Sequence, residues 1–541
     1  MSTARRARPS PDPDRPARWL ASLVLGAAVV AALAVPVLAA GPVADALADA
    51  SPSASAGASP SASPSDSPSP SVDPSASPSA SPSASVGPSP SASPSPSASP
   101  SASPTPSPSP SPSPSPTPSP TPVPTGAWPT TTWPTTTTTL GSTVRFYGRG
   151  YGHGVGLNQY GARGRALAGQ TASQILAAYF KGSVIATASA STQVRVLLLA
   201  GYNAVTSAPL VIHGRITDWT IDKVPATFPK DAVASLWRTT TNVDGNATTT
   251  WRVRVLGADG TTVLYSGTLS GSATFRPTTT STRFQLDSKP SAYDTYRGSL
   301  RVILGASSAT VVNYVGLDTY LKGVVPVEMP SSWPTEALKA QAIAARSYAY
   351  ARLHPSSGSF DLYDDTRSQV YRGVESESSV TSTLIAAVPG KILKSGSTVV
   401  NAFFYSTGGG SSENNEYVFV SSTGAVGSPV AYLRGIPDRR PDGTAYDTAA
   451  PYYSWATSSL TRSQLSSMFK ADPRTNVGDL LRLDLTRRGV SGRLYRVTLT
   501  GSAGSKSVSA EVFRSIYNAR RPAGTEQLRS TLFDAKPLPF K

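Results

Sequence analysis

An alanine-rich helix is the feature that most restricts what this chain can fold into. Seven alanines lie between Pro334 and Leu353, and small or apolar side chains recur there at helical spacing: Leu338, Ala342, Ala345 and Ala349. Small side chains on a buried face let neighbouring backbones approach closely. The pattern therefore predicts a central helix with strands packed round it.

The ends of this helix can be predicted as well. Pro334 suits a first helical turn, and Ser331 or Ser332 can cap it. Pro355 pushes the residue before it out of the α region and so ends the helix. We expect a helix over residues 334–353.

One glutamate stands out just before the helix. Glu328 lies between Pro326 and Pro330, whose rings restrict the local backbone. Such a glutamate is either a solvated turn residue or a catalytic acid, and the pattern alone leaves both interpretations open. Arg346 lies on the helix and can point back toward the Glu328 loop, which makes it a candidate site residue.

Glycine occupies every second position from Gly148 to Gly156. An extended chain here would have one bare face, which lets a backbone or a ligand come very close. Tyr151 and His153, on the opposite face, could line a groove. The alternative is a tightly packed turn with a structural histidine. The stretch lacks a Gly-Lys-Ser/Thr ending, so a phosphate loop is not indicated.

Short β-rich runs dominate the middle of the chain. They cover residues 194–199, 251–255, 262–265, 300–304 and 310–314. Asp-Gly pairs at Asp244 and Asp259 predict hairpin turns, and Asp318 can cap a short helix that leads into Glu328. The fold class predicted from these patterns is α+β, an antiparallel β-rich domain around the central alanine-rich helix.

Two polar stretches follow the helix. Gln369 and Tyr371 lie on a predicted strand, and Ser406 lies where another predicted strand breaks into a glycine-rich loop. An acidic loop precedes Gln369 and carries three aspartates at positions 361, 364 and 365. They could form a calcium loop, but their spacing matches no EF-hand and turn capping is the better interpretation.

Residues 1–50 have the features of a secretory signal. Five arginines precede an uncharged apolar run from Trp19 to Ala44. This run is also long enough to span a bilayer, so an uncleaved membrane anchor stays open. In either case everything after it faces outward, and we expect a secreted or membrane-anchored, extracytoplasmic protein of the cell wall.

Residues 51–139 are predicted to be a disordered spacer. They consist almost wholly of Ser, Pro and Ala, followed by Thr-rich repeats, and cannot bury enough apolar surface to offset their ordering entropy. Extended at about 3.1 Å per residue, the stretch from Ser51 to Thr125 would reach on the order of 200 Å. The folded domain is therefore predicted to cover residues 140–541.

Composition excludes several kinds of site. The chain has no cysteine and three histidines, so thiolate catalysis and Cys-based zinc sites are excluded and a His-rich metal site is not expected. The whole chain has a formal net charge of +16. Residues 1–125 carry −1, so the remainder carries +17. A basic extracytoplasmic domain suits anionic partners such as wall polymers or a membrane surface. No basic run with interleaved aromatics indicates nucleic acid.

Four stretches taken together resemble the stage II sporulation protein D family. They are Gly-Tyr-Gly-His-Gly-Val-Gly-Leu-Asn-Gln-Tyr-Gly at 150–161, Gly-Val-Val-Pro-Val-Glu-Met-Pro at 323–330, Ala-Leu-Lys-Ala-Gln-Ala-Ile-Ala-Ala-Arg-Ser-Tyr at 337–348 and Ser-Gln-Val-Tyr-Arg-Gly at 368–373. Four motifs at once make the resemblance specific. It spans about residues 146–533 and identifies residues 140–541 as a catalytic domain of this kind, with its Gly-His-Gly motif at the N-terminal end.

The resemblance implies a function on the bacterial cell wall, because the family includes peptidoglycan lytic transglycosylases and amidase enhancers. Glu328 becomes the candidate catalytic acid. The candidate substrate-binding residues are Arg346, His153, Tyr151, Gln159, Gln369, Tyr371 and Ser406. An acid that is protonated near neutral pH must be shielded, so we expect Glu328 to be partly buried beside apolar groups such as Met329 or Trp333.

Two functions follow from the resemblance. The first is cleavage of peptidoglycan glycan strands to 1,6-anhydro-muramyl products. The alternative is a non-catalytic, wall-binding enhancer of an N-acetylmuramoyl-L-alanine amidase, which would make a cell-wall amidase a partner.

The chain departs from the family pattern in two places. In the sporulation enzymes the Gly-His-Gly motif typically lies near the C-terminus, whereas here it comes first. Some members bind zinc through Cys and His just before Gln-Val-Tyr, where this chain has Arg367 and Ser368. No metal and no other cofactor is therefore expected.

Overall fold

The structure is a computed structural model that describes residues 128, 133–244, 246–354 and 357–539. The predicted signal or anchor, and all of the predicted spacer except residues 128 and 133–139, lie outside the described residues. Within the described part of the chain, no helix combines the length and the apolar character needed to cross a membrane.

Eight α-helices lie in the described residues. They are α1 (Gln159–Leu167), α2 (Ala172–Tyr179), α3 (Leu317–Lys322), α4 (Val325–Glu328), α5 (Thr335–Tyr350), α6 (Ser379–Ala387), α7 (Arg462–Lys470) and α8 (Ala510–Arg520). Two short 3-10 helices cover Gly373–Ser376 and Asn415–Tyr417.

The strands are short, apart from one group in the middle of the chain. The first twelve are β1 (Thr138–Thr139), β2 (Thr143–Val144), β3 (Tyr147–Arg149), β4 (Leu157–Asn158), β5 (Val184–Thr187), β6 (Gln193–Tyr202), β7 (Leu210–Arg215), β8 (Trp219–Ile221), β9 (Thr227–Phe228), β10 (Val233–Val243), β11 (Asn246–Leu256) and β12 (Val263–Leu269). The remainder are β13 (Ser272–Pro277), β14 (Arg283–Gln285), β15 (Thr295–Tyr296), β16 (Ser299–Leu304), β17 (Ala309–Gly316), β18 (Leu362–Tyr363), β19 (Lys391–Ser395), β20 (Thr398–Val399), β21 (Phe404–Tyr405), β22 (Ser454–Ala456), β23 (Leu460–Thr461), β24 (Leu480–Asp484), β25 (Arg496–Gly501), β26 (Gly504–Ser509) and β27 (Phe533–Asp534).

The strands form mostly antiparallel sheets. The two largest have the orders β18-β6-β17-β16-β13-β8-β9 and β12-β11-β10-β7-β14-β15. Smaller sheets are β1-β24-β25-β26, β20-β19-β5, β22-β3-β27, β2-β23 and β21-β4. Among the described strands only β18 with β6 and β21 with β4 pair in parallel. The predicted α+β class with antiparallel strands is confirmed. Four of the five predicted β runs lie within strands, and the fifth, residues 262–265, begins one residue before β12.

The central helix is observed with different ends. Helix α5 begins after Pro334, and neither Ser331 nor Ser332 caps it. It ends at Tyr350, before the predicted end at residue 353, and Ala351 forms the C-cap. Twelve of its sixteen residues are buried, including every alanine, which confirms the predicted packing role. The small side chains let α5 pack against the helices α1, α2, α3, α4 and α6 and the strand β19, so the helix is central as predicted, but its neighbours are mainly helices and not the predicted strands.

The segment before α5 also differs from the prediction. Glu328 is the last residue of the short helix α4, rather than part of a loop. Asp318 does not cap α3, because the N-cap is Gly316 and no side chain bonds there. Asp318 instead lies in the first turn, where a carboxylate complements the helix dipole.

The buried apolar side chains form two clusters. The larger surrounds α5 and both large sheets. The smaller is built around Phe146, α7, α8 and the four-stranded sheet that contains β1. Thr138 and Thr139, assigned to the spacer above, pair with Leu483 and Arg482 as strand β1, so ordered structure begins before residue 140. The glycine-rich segment runs from Phe146 in the smaller cluster to Val155 in the larger one.

The sequence left two interpretations open for the alternating glycines, an extended chain with a bare face or a tightly packed turn. The extended chain is not observed. After β3 ends at Arg149, the glycines at 150, 152, 154 and 156 all have positive φ, between 75° and 101°. Only glycine adopts this region readily, so the segment is a tight ribbon rather than an extended chain. A Cβ on Gly156 would lie 2.2 Å from the carbonyl oxygen of Phe403.

This close approach gives a stability prediction. Gly156→Ala adds a methyl group against the Phe403 carbonyl at φ +79°, whereas Gly169→Ala adds one at φ +82° with nothing within 4 Å. We expect Gly169→Ala to cost about 1–2 kcal/mol of unfolding free energy from backbone strain alone, and Gly156→Ala to cost about 3 kcal/mol or more. Urea unfolding of both variants measures the difference. Equal losses would mean that the ribbon does not pack tightly on Phe403.

Candidate active site

Glu328 lies almost completely below the surface, with 4% of its area exposed. Met329, which follows it, is fully buried, and Trp333 is half-buried and packs against the larger cluster. The expected apolar surroundings of Glu328 are therefore present. The phenols of Tyr320 and Tyr348 lie within electrostatic range of its carboxyl.

The two oxygens of this carboxyl have different surroundings. The side-chain amide of Gln159 donates to Oε2 at 3.2 Å. Oε1 is buried and has no hydrogen-bond partner. Burial raises the pKa of Glu328 from 4.5 to about 7, against the lowering effects of Gln159, the Arg372 charge and the Val370 backbone amide. Because Oε2 already accepts a hydrogen bond, the acidic proton belongs on Oε1.

Gln159 is held in place by the start of helix α1. Asn158 is the N-cap of this helix, and its side-chain oxygen accepts from the backbone N–H of Gly161 at 3.1 Å. Its side-chain amide donates to Asp438 and to Asp447, each at 2.9 Å. Gln159 is the first residue of α1, so the buried carboxylates that orient Asn158 also orient the Glu328 partner.

Asp447 joins this arrangement to the glycine-rich loop. Its Oδ2 accepts from the Thr407 hydroxyl at 2.7 Å and from the backbone N–H groups of Gly408 and Gly409 at 2.8 and 2.9 Å. Successive backbone N–H groups that surround one oxygen form a nest for negative charge. Asp438 and Asp447 carry no local sequence signal, whereas Asn158 and Arg372 lie within two of the four family-like stretches but were not among the candidate site residues.

Arg346 is fully buried in α5. Its Nε donates to Asp318 Oδ1 at 2.5 Å, and its Nη1 donates to the Lys391 carbonyl oxygen at 2.9 Å. These contacts join α5 to α3 and β19. Among the described residues no hydrogen bond or ion pair links Arg346 to Glu328, and its substrate contact stays a prediction.

Gln369 and Tyr371 lie behind Glu328 and are both buried. Gln369 accepts from the Tyr320 hydroxyl at 3.1 Å and donates to the Ala345 carbonyl at 3.3 Å. Tyr371 packs on Tyr320 with ring centroids 4.9 Å apart. Val370, between them, directs its backbone N–H at Glu328, so this stretch shapes the site from inside.

His153 has both ring nitrogens in use. The Val155 backbone N–H donates to Nδ1 at 3.0 Å, which leaves the proton on Nε2 to donate to the Phe404 carbonyl at 3.1 Å. Desolvation and the charge of Arg493 lower its pKa to about 3. The ring is therefore neutral at physiological pH, and the geometry matches the structural alternative considered for this histidine.

The side chains of Tyr151 and Ser406 make no hydrogen bond to Glu328 among the described residues. The half-buried Tyr151 ring meets the Tyr452 ring edge-on, with centroids 5.4 Å apart. Ser406 is buried, and its carbonyl oxygen accepts from the backbone N–H of Tyr160 at 3.0 Å. Of the seven candidate binding residues, only Gln159 has a side chain that bonds to Glu328 among the described residues.

The three aspartates of the acidic loop each pair with a basic side chain. Their partners are Arg195 for Asp361, Lys289 for Asp364 and Arg367 for Asp365. Within the described residues no group of three or more His, Cys, Asp or Glu side chains is arranged to hold a metal ion.

The site lies in a segment that matches a known family. Residues 306–394 match the family model of the stage II sporulation protein. Stage II sporulation protein D of Bacillus subtilis is 30% identical over 188 residues, which cover 31% of this chain and 50% of that protein. Residues 306–394 form a stage II sporulation protein D family domain. The family segment contains Glu328, Arg346, Gln369 and Tyr371, whereas Gln159 reaches the site from outside it.

Other relatives cover smaller or comparable parts. An amidase enhancer of Bacillus subtilis is 35% identical over 147 residues, 27% of this chain and 18% of that protein. An uncharacterized protein of Brachyspira hyodysenteriae is 31% identical over 221 residues, 38% of this chain and 56% of that protein. The chain therefore spans from about a fifth to somewhat over half of the length of the relatives it matches. No solved structure matches significantly.

The raised pKa of Glu328 predicts how stability depends on pH. The folded state binds this proton more tightly than the unfolded chain does. The free energy of unfolding therefore falls as pH rises from 4.5 to about 7, by about 3 kcal/mol in all, because only the unfolded chain loses the proton readily in this window. Glu328→Gln keeps an acceptor for Gln159 but does not titrate. We expect the variant to gain stability relative to the wild type as pH rises through this window, measured by urea unfolding.

Glu336→Gln is the matched control. Burial opposes a low pKa for Glu336, but its contacts with Lys339 and the Ala172 backbone N–H outweigh burial and lower it. The stability that Glu336 contributes is gained below pH 4.5, so the difference between Glu336→Gln and the wild type should stay constant from pH 4.5 to about 7. A pH-independent effect of Glu328→Gln would show that the carboxyl is solvated.

Proposed function

We propose that this chain is an extracytoplasmic lytic transglycosylase that cleaves the glycan strands of peptidoglycan. The observation that carries the proposal is the Glu328 carboxyl, buried and with its pKa near 7, with one oxygen bonded to Gln159 and the other unpartnered. The stage II sporulation protein D family domain at residues 306–394 supports a cell-wall function.

A single carboxyl is sufficient for this reaction. Protonated Oε1 of Glu328 donates its proton to the glycosidic oxygen that leaves C1 of the muramyl sugar. The resulting carboxylate then accepts the proton of the C6 hydroxyl as that oxygen closes on C1. The bond to the leaving sugar breaks, a C1–O6 bond forms, and the product is a 1,6-anhydro sugar with no water consumed.

The surroundings of Glu328 fit this chemistry better than hydrolysis. Glycoside hydrolases use two carboxylates on either side of the scissile bond. The groups that influence the pKa of Glu328 among the described residues are an amide, a backbone N–H and the Arg372 guanidinium, and none of them is a carboxylate. Arg372 stacks over Tyr293 at 4.5 Å and supplies positive charge where the acid becomes an anion.

The proposal includes the location and the partner. The net charge of +17 beyond residue 125 favours an anionic polymer as substrate, and the apolar run after the N-terminal arginines favours export. The same proposal therefore places the folded domain at the cell wall, secreted or held by a membrane anchor.

The second candidate is a wall-binding enhancer of an N-acetylmuramoyl-L-alanine amidase. Two observations favour it: the similarity to an amidase enhancer, and the near-complete burial of Glu328, which leaves little of its surface for a substrate. In this case the Gln159–Glu328 pair would hold α1 against α4, and the amidase would be the partner.

Product analysis separates the two functions. Full-length wild-type protein and its Glu328→Gln variant are incubated with peptide-stripped glycan strands, and the products are analysed by mass spectrometry. We expect anhydro-muramyl ends from the wild type and a loss of at least about a hundredfold in the variant, because the acid is removed. Glu336→Gln is the control that should retain activity.

Two other results would point to hydrolysis or to the enhancer function. Reducing ends without anhydro sugars would show hydrolysis and contradict the single-carboxyl mechanism. No cleavage by the wild type, together with stimulation of an added amidase by wild type and Glu328→Gln alike, would establish the enhancer function instead.

The pH dependence of cleavage tests the role of Gln159. Glu328 must be protonated to act as the acid, so activity should fall as pH rises through about 7. The Gln159 amide stabilises the carboxylate and lowers the Glu328 pKa, so Gln159→Leu should move this fall to higher pH. Gln174→Leu, which removes a capping amide at α2, is the control. An unshifted fall in Gln159→Leu would exclude the hydrogen bond as a determinant of this pKa.

A further inference from the structure

A row of aromatic side chains lies beside the Glu328 site. Trp333 follows Glu328 closely in the chain, and its ring meets the Tyr160 ring with centroids 4.8 Å apart. Tyr160 and Tyr151 are held on adjacent residues, because the Tyr160 backbone N–H donates to the Ser406 carbonyl at 3.0 Å and the Tyr151 backbone N–H donates to the Thr407 carbonyl at 2.9 Å. Tyr452 in turn meets Tyr151 edge-on at 5.4 Å. All four rings are half-buried, so each presents part of its surface to solvent.

Two arginines lie on this row. The guanidinium of Arg163 is 5.8 Å from the Trp333 ring centre, and that of Arg529 is 3.6 Å from Tyr452 and 5.7 Å from Tyr151. Both side chains are half-buried. Neither makes an ion pair with any residue that the structure describes, whereas Arg195, Arg297 and Arg488 all pair with carboxylates.

These six residues, here called the aromatic strip, come from separate parts of the chain. The members are Tyr151, Tyr160, Arg163, Trp333, Tyr452 and Arg529. Only Trp333 belongs to the family segment, residues 306–394. Tyr160 follows Gln159 directly, so the strip begins next to the residue that holds the Glu328 carboxyl.

The combination of aromatic rings with two arginines favours one type of ligand. Aromatic faces bind flat apolar surfaces, and the C–H faces of pyranose rings are such surfaces. A guanidinium that stacks on a ring keeps its N–H edge available for a carboxylate. A neutral sugar would use only the rings, and a simple anion would use only the arginines.

We propose that the aromatic strip is a binding site for an anionic saccharide strand, which it holds in line with the Glu328 site. The inference rests on the proposed function for the nature of the strand. Tyr452 and Arg529, contributed by the chain beyond the family segment, extend the site away from the catalytic carboxyl. The carboxylates come either from the lactyl groups of peptide-free glycan or from stem peptides on intact glycan.

The test measures binding without cleavage. Full-length protein carrying Glu328→Gln is titrated with three ligands: peptide-free glycan strands, strands with stem peptides and neutral chitooligosaccharides. The same titrations are then made with a double variant that carries both Glu328→Gln and Arg529→Glu. The matched control is Arg254→Glu, because Arg254 also stacks on an aromatic ring, Trp237, at 5.9 Å, but on the hairpin β10–β11.

We expect Arg529→Glu to weaken binding of an anionic strand about tenfold or more, and Arg254→Glu to change it by about twofold or less. The loss should shrink at high salt, because the contact is electrostatic. Loss with peptide-free strands assigns the carboxylates to lactyl groups, and loss only with peptide-bearing strands assigns them to the peptides. Unchanged binding of both anionic ligands, or an equal loss for the neutral oligosaccharide, would overturn the proposal.

Further variants keep the test valid if Arg529→Glu fails to fold. Arg529→Lys retains the charge and should retain most of the affinity, whereas Arg163→Glu changes the opposite end of the strip and should lose it. Tyr452→Ala should weaken the neutral and anionic ligands alike, because it removes the ring. If the wild type does not cleave glycan but its binding depends on Arg163 and Arg529, the transglycosylase proposal is refuted and the binding-site proposal stands. The two proposals can therefore fail separately.

Discussion

The hydrogen bond between Gln159 and Glu328 joins two residues that are 169 positions apart, and the rest of the site depends on it. Burying a carboxyl is unfavourable unless it is protonated or well bonded. One oxygen of Glu328 receives a single neutral donor, which is enough to orient the group but not enough to keep it ionised. The raised pKa is therefore a direct result of giving a buried carboxyl fewer donors than it can accept.

Two other buried carboxylates lie beside the start of α1 and provide a comparison. Asp438 receives donors from Arg165, Tyr179 and Asn158, and Asp447 receives a hydroxyl, an amide and backbone N–H groups. Both oxygens of Asp438 accept hydrogen bonds, whereas the donors to Asp447 all lie on Oδ2, and its Oδ1, like Oε1 of Glu328, has no partner among the described residues. What distinguishes both aspartates from Glu328 is that each receives more donors than the Gln159 amide and the Val370 backbone N–H supply to Glu328.

Much of the fold could be predicted from the sequence, because its signals are local. The alanine spacing of α5, the β runs between residues 194 and 314 and the Asp-Gly hairpins depend on near neighbours, and they are observed. The strand predicted to carry Gln369 and Tyr371 is not, because these residues have no strand structure. Helix ends were less predictable: Asp318 and the serines before Pro334 have capping chemistry, but tertiary contacts use them otherwise. The alternating glycines were recognised, but a periodicity of two cannot distinguish a strand from a ribbon of positive φ.

Glu328 was detectable because the chain around it has an unusual pattern. Its hydrogen-bond partner Gln159 was among the candidate residues, but Asp438 and Asp447, which hold the neighbouring Asn158, are ordinary polar residues until the fold brings them together across hundreds of positions. Arg346 illustrates the reverse case. An arginine on the central helix looks available from the sequence, but the fold uses it to join α5 to α3 and β19.

The pairing of β1 with β24 has a mechanical consequence. Trp133 packs under Arg488, and Thr138 and Thr139 hydrogen-bond with β24. Tension applied from the N-terminal side would therefore act on the Trp133–Arg488 contact and on a two-residue strand at a sheet edge before it reached the rest of the fold. Strand β1 belongs to the sheet of the smaller cluster, whereas α5 lies in the larger one. The residues on which such tension would act first are thus separate from the helices that hold Glu328.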